Sequence, residues 1–583
     1  MTTIRATSST PTWVIRPGGA LAVQVHRPQN GEARGVVVLA PPIAREWAIT
    51  YRAMRSLACQ LTDEGFIAVR FAFTGDGDSQ GRVGDDLADE LVSDLAAVVE
   101  LARSLAPDVP LSVIGLRMGG CVAAMLPERA RGNLLAWEPV EPRRWLRGQR
   151  AIRRLSVSTP PRSDLGTEIL GALYTKAQVS SLRNLAEPGA TTPACVVRHE
   201  ADESVSSALY ATDVAHATTP FASLDEIVAW VPRSAPRQVR EWSPVVSYVE
   251  STTDGAVSHT FTAITEFGLP AVVSESLDRE SSCTVICAQG SMESMCGPGG
   301  LWAQMSGPLA AAGARVIRTD RRGTGDLSNP MRHREPLPYS DRGVEDYRAI
   351  VRACADRGHP VVCVGICAGA WYAGLSARGG GVDRVVGFNN PVWGLSPRPY
   401  RALLAAKDRI NMARGVFDLA TAAAGTSPEP VEGTSIAKAE DTGLVRGRGP
   451  VWTILIAAAR WAVGTVPDSL RLRAARVGLA QDPSVLVGAA PSDTSFDYLF
   501  GNDDWPSFAS IGGDDAFVGP RAGGQRITSQ RQDVLDHGLL SVDARTFVTE
   551  YLRGVVRDLT ASEADRRGEG LSDSQETSKG VTP

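Results

Sequence analysis

The chain has 583 residues, which is too many for one ordinary hydrophobic core and indicates at least two domains. Apolar residues make up 43% of the chain and charged residues 21%, a composition typical of globular proteins rather than disordered ones. The net charge is only −5 and no basic block carries interleaved aromatic residues, which argues against a nucleic acid partner.

No targeting or membrane-spanning segment is predicted. Residues 1–17 lack a basic start followed by an apolar run, and the most apolar stretch, 451–466, contains Arg460 and is too short to cross a bilayer. Nine cysteines without regular spacing fit a reducing compartment. Cys283 and Cys287 lack a second pair that would complete a zinc site. We therefore expect a cytoplasmic protein without a metal or other cofactor.

The predicted elements occur twice in the same order. Each copy begins with an apolar strand, a helical pattern and a second strand that runs into a turn rich in glycine and aspartate. These elements are 36–40, 54–65, 67–71 and the turn 75–79 in the first copy, and 284–288, 301–313, 314–318 and the turn 323–326 in the second. An internal repeat of this kind indicates that the fold contains the same structural unit twice.

Each copy continues with an amphipathic helix and a strand that ends in a Gly-x-x-x-Gly turn. These elements are 87–105, 111–114 and 115–119 in the first copy, and 344–355, 361–364 and 365–369 in the second. From Asp78 to Arg117 there are 39 residues, and from Asp326 to Cys367 there are 41. Strands that alternate with helices indicate parallel sheets with helices on both faces. The sequence therefore predicts two α/β domains in tandem.

The predicted domains are 1–248 and 249–557, followed by a disordered polar tail at 558–583. The seam is placed near 242–255, after a proline-rich stretch. A helical cap or insert is expected at about 392–483. It contains the segment 425–449, whose composition of Gly, Pro, Glu and Thr predicts a loop.

The second Gly-x-x-x-Gly turn, Gly365-Ile366-Cys367-Ala368-Gly369, has the context of a nucleophile elbow, because it joins an apolar strand to a helix of small residues. The helix amino terminus would favour the thiolate form of Cys367. The backbone amide of Ala368 and one from the loop 289–292, at Gly290 or Ser291, would form an oxyanion hole. The alternative is that Cys367 is a buried structural cysteine.

A nucleophile of this kind needs a histidine as its base and an acidic residue that orients the histidine. In this fold the three residues occur along the chain in the order nucleophile, acid, histidine. His537 is the only histidine after Cys367, and it precedes a helical pattern at 542–552. The run 484–488 is interpreted as a late core strand, and the loop after it offers Asp493, with Asp497 as a substitute. A surface histidine without a role is the alternative for His537.

In the first copy the central elbow residue is Arg117, which cannot attack a carbonyl. No histidine follows His216 before His259, which falls in the second copy. The first domain is therefore predicted to be catalytically silent. Arg117 could bind an anionic group, or it could be paired with a carboxylate such as Glu138.

Both halves resemble the α/β-hydrolase superfamily and, more narrowly, the esterase-like hydrolases that accompany exosortase systems. The segments that carry the resemblance are 40–42, 69–71, 75–79 and 137–140 in the first half, and 365–370 and 385–391 in the second. The resemblance covers most of residues 20–555 and implies a triad that maps onto Cys367, Asp493 and His537. Serine is the commoner nucleophile in the superfamily, and the cysteine elbow is similar to those of dienelactone hydrolases and polyhydroxyalkanoate synthases.

These features favour acyl transfer through a thioester on Cys367, with a small-molecule or acyl-carrier-linked acyl substrate. Water as the acceptor would make the protein a hydrolase, and an alcohol or amine would make it an acyltransferase. A non-catalytic binding or scaffold protein, built from two degenerate hydrolase domains, is the alternative of a different class. The acyl group, the acceptor and the oligomeric state are not specified by the sequence.

Overall fold

The computed structural model of the protein describes residues 9–81, 83–188, 195–197, 209–211, 214, 217–290, 292–328, 338–355, 358–396, 468–476, 481–517 and 524–576. These residues form two large, mostly parallel sheets, one in each half of the chain, and helices pack against both sheets. The predicted fold class of two tandem α/β domains is confirmed.

The first half contains twelve of the described strands. They are β1 (Ser9–Arg16), β2 (Gly19–His26), β3 (Glu32–Ala33), β4 (Val36–Ala40), β5 (Ile67–Phe71), β6 (Gln80–Gly81), β7 (Leu111–Leu116), β8 (Asn133–Trp137), β9 (Thr167–Ile169), β10 (Ala172–Tyr174), β11 (Cys195–Val197) and β12 (Arg237–Gln238). The described helices of this half are α1 (Arg45–Asp63), α2 (Leu87–Leu105), α3 (Met118–Met125), α4 (Glu128–Arg131), α5 (Pro142–Ser156), α6 (Lys176–Leu182) and α7 (Phe221–Trp230).

The first sheet has the order β1-β2-β5-β4-β7-β8-β11, with β6 paired to β2. Strands β1, β2 and β5 pair antiparallel, and the pairs from β5 through β4, β7 and β8 to β11 are parallel. Every residue of β4 and β5 is buried, as expected for parallel strands that are covered on both faces.

The second half contains nine of the described strands. They are β13 (Ser247–Thr252), β14 (Gly255–Ile264), β15 (Leu269–Ser276), β16 (Cys283–Ala288), β17 (Ala314–Thr319), β18 (Val361–Ile366), β19 (Arg384–Phe388), β20 (Ser495–Phe500) and β21 (Ile527–Arg531). The described α-helices are α8 (Leu301–Ala311), α9 (Asp341–Ala355), α10 (Ala368–Ala377), α11 (Asp468–Arg476), α12 (Pro483–Val487), α13 (Trp505–Ala509) and α14 (Val542–Glu576), and short 3-10 helices cover Pro298–Gly300, Gly325–Leu327 and Gly513–Phe517.

The second sheet has the order β13-β14-β15-β17-β16-β18-β19-β20-β21. Strands β13, β14, β15 and β17 pair antiparallel, and the remaining pairs are parallel. The path β2-β5-β4-β7-β8-β11 of the first sheet thus has the same arrangement as the path β15-β17-β16-β18-β19-β20 of the second. The repeat in the sequence is a repeat of the fold.

Two local predictions are wrong. The run 484–488 is not a strand, because Pro483–Val487 forms helix α12. Asp482 caps this helix, its side chain accepting a hydrogen bond from the Ser484 amide at 3.0 Å, and Pro483 suits the first helical turn. The tail at 558–583 is not disordered throughout, since α14 continues to Glu576.

The domain boundary at 248/249 stays a prediction, although the second sheet begins at Ser247. The cap at 392–483 and its loop 425–449 lie for the most part outside the described residues, which here include 392–396, α11 and 481–483. Across the described part of the chain, no helix has the length and hydrophobicity needed to cross a membrane.

Candidate active site

Cys367 lies at the sharp turn between strand β18 and helix α10. Its φ is 51° and its ψ is −118°, a conformation that a residue with a side chain rarely adopts. The turn is held by a hydrogen bond of 2.9 Å from the Cys367 amide to the Phe388 carbonyl on the neighbouring strand. Cys367 is partly exposed, whereas seven of the other eight cysteines are buried.

The two glycines of the elbow are required by close backbone contacts. A Cβ atom on Gly365 would lie 2.2 Å from the carbonyl carbon of Gly369, and a Cβ atom on Gly369 would lie 2.6 Å from the Ala288 carbonyl oxygen. Neither distance is sterically possible without movement of the backbone. The turn therefore brings β18, β16 and α10 close together and leaves the Cys367 side chain at the end of the sheet.

His537 contacts both Cys367 and a carboxylate. Its Nδ1 atom lies 2.8 Å from Asp504 Oδ1, and the Cys367 side chain is near enough to the ring to raise the pKa of the imidazole. Burial opposes protonation of the imidazole, but the hydrogen bonds to Asp504 and Cys367 outweigh it and raise the pKa of His537 well above its ordinary value. The His537 side chain is nevertheless 55% exposed at the protein surface. A thiol, an imidazole and a carboxylate in this order can act as nucleophile, base and orienting acid.

The loops that carry Asp504 and His537 are tied together by Asn389, which is fully buried. The Asn389 amide nitrogen donates to the carbonyl oxygens of Asp536 and His537, at 3.0 and 3.2 Å. Its Oδ1 accepts a hydrogen bond of 2.8 Å from the amide of Gly501, just after strand β20. The Asn389 side chain thus fixes both the start of the loop that carries Asp504 and the backbone at His537.

The acid proposed from sequence is corrected by these contacts. Asp493 is exposed and precedes strand β20, and Asp504 rather than Asp493 is the carboxylate on His537 Nδ1. Asp497, the substitute, lies within β20 and accepts hydrogen bonds from Arg384 and Thr528 at 2.6 Å each. The prediction of Asp493 depends on a core strand at 484–488, and this segment is a helix instead.

Asp504 had a signal in the sequence. The run 495–500 contains three aromatic residues and leads into Gly501-Asn502-Asp503-Asp504. Aromatic residues favour a strand, and an acidic turn between the nucleophile and the histidine fits the chain order nucleophile, acid, histidine. The role of Asn389 in holding both loops could not be derived from sequence, since it depends on contacts between distant segments.

Two of the three predicted oxyanion residues belong to the described structure. Ala368 begins helix α10 directly after Cys367, and Gly290 is buried in the loop that follows β16. Ser291 lies outside the described residues. The residue before Gly290 is held firmly: the Gln289 side chain donates to Asp320 at 2.6 Å and accepts from Thr324 at 2.7 Å.

The first half contains an elbow of the same backbone shape. Arg117 has φ 56° and ψ −122°, and its amide donates to the Trp137 carbonyl at 2.9 Å, the counterpart of the Cys367 contact. The guanidinium is paired with a carboxylate, that of Glu46, and the charge of Glu138 also raises its pKa. It donates to both carboxylate oxygens of Glu46, at 3.1 and 3.2 Å, and lies 3.8 Å over the Tyr210 ring. The positive charge of Arg117 is therefore neutralised internally, and anion binding there stays a prediction.

Residues 295–551 of the second half match the model of the Alpha/beta hydrolase family. A sequence search of curated proteins finds no match to the chain. Among the described residues, no three His, Cys, Asp or Glu side chains are placed to hold a metal ion.

Solved structures with related architecture include three α/β enzymes. An α/β serine hydrolase without a lid from Xanthomonas campestris shares 24% identity over 23% of this chain and 63% of its own length, with a TM-score of 0.21. A bacterial brefeldin A esterase shares 15% identity, covering 54% and 80% of the two chains, with a TM-score of 0.30. A dienelactone hydrolase from Anabaena variabilis shares 12% identity, covering 51% and 96%, with a TM-score of 0.29. The match thus spans less than two thirds of the first of these proteins.

Proposed function

We propose that the second half of the chain hydrolyses an ester or thioester through a thioester intermediate on Cys367. The observation that carries this proposal is the position of His537, whose Nδ1 lies 2.8 Å from Asp504 and whose pKa is raised by both Asp504 and Cys367, the residue at the nucleophile elbow. Asp504 takes the acid role that the sequence assigned to Asp493.

In the acylation step the Cys367 thiol gives its proton to His537, the sulfur forms a bond to the substrate carbonyl carbon, and the carbonyl π electrons move to oxygen. The amides of Ala368 and Gly290 stabilise this oxyanion. When the tetrahedral intermediate collapses, the bond to the leaving alcohol or thiol breaks and protonated His537 donates a proton to it. The raised pKa of His537 suits it to hold that proton near neutral pH.

In the deacylation step His537 accepts a proton from water, and the resulting hydroxide oxygen attacks the thioester carbonyl. Collapse of the second tetrahedral intermediate releases the carboxylic acid and returns Cys367. Asp504 keeps the imidazole in one tautomer and orientation throughout. An alcohol or amine in place of water would give acyl transfer by the same residues.

We further propose that the first half is non-catalytic. Its elbow carries a guanidinium that is already bound to Glu46, and a guanidinium cannot act as a nucleophile. The narrower resemblance to exosortase-associated hydrolases, a small-molecule or acyl-carrier-linked substrate and a cytoplasmic location remain parts of this proposal.

The decisive experiment is to trap the acyl-enzyme. The full chain is incubated with a panel of p-nitrophenyl esters and acyl thioesters, and the modified peptide is identified by mass spectrometry. We expect a mass increase on the peptide that contains Cys367 and release of the leaving group. Adding hydroxylamine or an amine acceptor then distinguishes hydrolysis from acyl transfer by the product that forms.

Cys195 provides the matched control, because it is the other cysteine that is not buried. The Cys367→Ala variant should form no adduct, and the Cys195→Ala variant should form it at the wild-type rate. An adduct of undiminished yield in Cys367→Ala, or turnover that survives this substitution, would contradict the proposal. A folded wild-type protein that neither forms an adduct nor releases product would favour the scaffold alternative.

A further inference from the structure

The two halves contact each other through two reciprocal buried ion pairs. Arg70 on β5 of the first half pairs with Asp326 of the second, and Arg318 on β17 of the second half pairs with Asp78 of the first. In each half the arginine precedes its own aspartate by eight residues. The contact is therefore of the isologous kind found at two-fold interfaces, here between two copies in one chain.

The pair of Arg70 with Asp326 is linked to the candidate oxyanion loop through Asp320, whereas Asp78 of the other pair accepts a hydrogen bond of 3.2 Å from the Cys296 thiol, further along the same segment. The Asp326 amide donates to Asp320 Oδ2 at 2.8 Å, and Asp320 Oδ1 accepts from the Gln289 side chain at 2.6 Å and from the Met295 amide at 2.8 Å. Gln289 directly precedes Gly290. A continuous set of buried hydrogen bonds thus connects Arg70, in the half without a nucleophile, to the loop expected to bind the oxyanion.

The first half lacks the hydrogen bond between Asp320 and Gln289, as its residues at the matching positions show, and its own loop after β4 is held instead by Asp76, which accepts from the Ala44 amide. Asp320 directly follows strand β17, whereas Ala72 directly follows β5. Gln289 directly follows β16, whereas Pro41 directly follows β4. Alanine and proline side chains cannot form these hydrogen bonds. The hydrogen bond between Asp320 and Gln289 therefore belongs to the copy that carries Cys367.

The Asp326 carboxylate depends on arginines of the first half. Burial would raise its pKa, but the charges of Arg70 and Arg55 lower it. The Arg55 Nε atom is 3.8 Å away, and its Nη1 donates instead to the Ser328 carbonyl at 2.7 Å. Without Arg70, Asp326 would lose its closest positive charge and would have to move or take up a proton.

We propose that Arg70 is a positioning residue for the oxyanion loop, so that a residue of the first half holds part of the active site of the second half in place. This inference rests on the proposed function. Misplacement of the loop should weaken binding of the transition state while leaving the ground-state substrate contacts intact. The expected result is therefore a lower kcat with little change in KM.

The test compares Arg70→Met with Arg318→Met in the full chain. Both variants remove one arginine of the same reciprocal interface and leave one buried aspartate, Asp326 or Asp78. We expect Arg70→Met to lower kcat about tenfold or more, with KM within about twofold, since a small misplacement of catalytic groups has effects of this size. Arg318→Met should change kcat less than about threefold. Arg70→Lys should recover most of the loss.

Two readouts separate this inference from the proposed function. Alkylation of Cys367 by iodoacetamide should be equally fast in both variants, since the triad is untouched. Hydrogen exchange at the Asp326 amide should be faster in Arg70→Met alone, and this measurement needs no substrate. Equal kcat losses in the two variants, an unchanged kcat in Arg70→Met, or unchanged exchange would overturn the inference. Failure of the wild type to form an adduct would instead contradict the proposed function.

Discussion

The Nδ1 atom of His537 lies 2.8 Å from Oδ1 of Asp504, a residue that follows strand β20. Asn389 holds the backbone on both sides of this contact. Because the carboxylate and the imidazole are both fixed through buried backbone contacts, Asp504 can set the tautomer and orientation of the ring that faces Cys367.

Asp504→Asn should therefore lower kcat/KM for ester hydrolysis by about 10²- to 10⁴-fold, as expected when the orienting acid of a triad is lost. Steady-state kinetics on the full chain would measure this. Asp493→Asn is the matched control, because Asp493 is exposed and is not the carboxylate on His537. Comparable losses in both variants would contradict the assignment of Asp504.

The pH dependence of the same variant follows from the pKa of His537. Burial lowers this pKa, and the hydrogen bonds to Asp504 and Cys367 raise it by more. Asp504→Asn removes one of the raising contributions, so the imidazolium should lose its proton at a lower pH. We expect the alkaline limb of the kcat/KM profile to move to lower pH. A limb that stays in place would show that another group titrates there.

Stability should change with pH in the sense given by this raised pKa. The imidazolium contacts stabilise the folded state below the unfolded pKa of about 6.5, and this stabilisation is lost as the pH rises through the higher folded pKa. The wild type should therefore exceed His537→Gln in Tm at pH 6 by more than it does at pH 9. Calorimetry at the two pH values would test this, and a Tm difference that is the same at both would contradict it.

The sequence predicts the strands, the helix and the elbow that surround the site better than it predicts which residues contact one another there. Strands β4 and β5 and helix α2 were predicted at their observed bounds, because each is a long or fully apolar pattern with clear ends. The sequence also predicts the elbow at Cys367, because an apolar strand, the Gly-x-x-x-Gly turn and a helix of small residues follow one another directly in the chain.

The acid was missed because a short apolar run has no periodicity that separates a strand from a helix. Residues 484–487 contain two valines and a leucine, but Pro483 and Asp482 start a helix there. The pairing of Arg117 with Glu46 and that of Arg70 with Asp326 join residues far apart in the chain. Such contacts depend on how helices and halves pack, which patterns along one chain do not specify.

Gly365→Ala should destabilise the protein by about 3 kcal/mol, because the new methyl group would overlap the Gly369 backbone at the elbow. Urea unfolding of the full chain, followed by circular dichroism, would measure the change. Gly379→Ala is the matched control: it lies just after the same helix, α10, with no heavy atom within 4 Å of the added carbon. It should change the stability by less than about 0.5 kcal/mol. Equal effects would contradict the steric account of the elbow.

Arg117→Cys places a thiol at the first elbow, where the backbone already has the shape seen at Cys367. We expect no second acylated site, because this elbow lacks a histidine among the described residues that contact it. The variant should also lose about 3 kcal/mol of stability, since Glu46 is buried and, among the described side chains, would keep Gln149 as its close donor. Adding Glu46→Gln should recover much of that loss by removing the unpaired charge. Acylation at both Cys367 and the new cysteine would contradict this account of the first half. It would also be contradicted if the variant with both Arg117→Cys and Glu46→Gln were no more stable than Arg117→Cys alone.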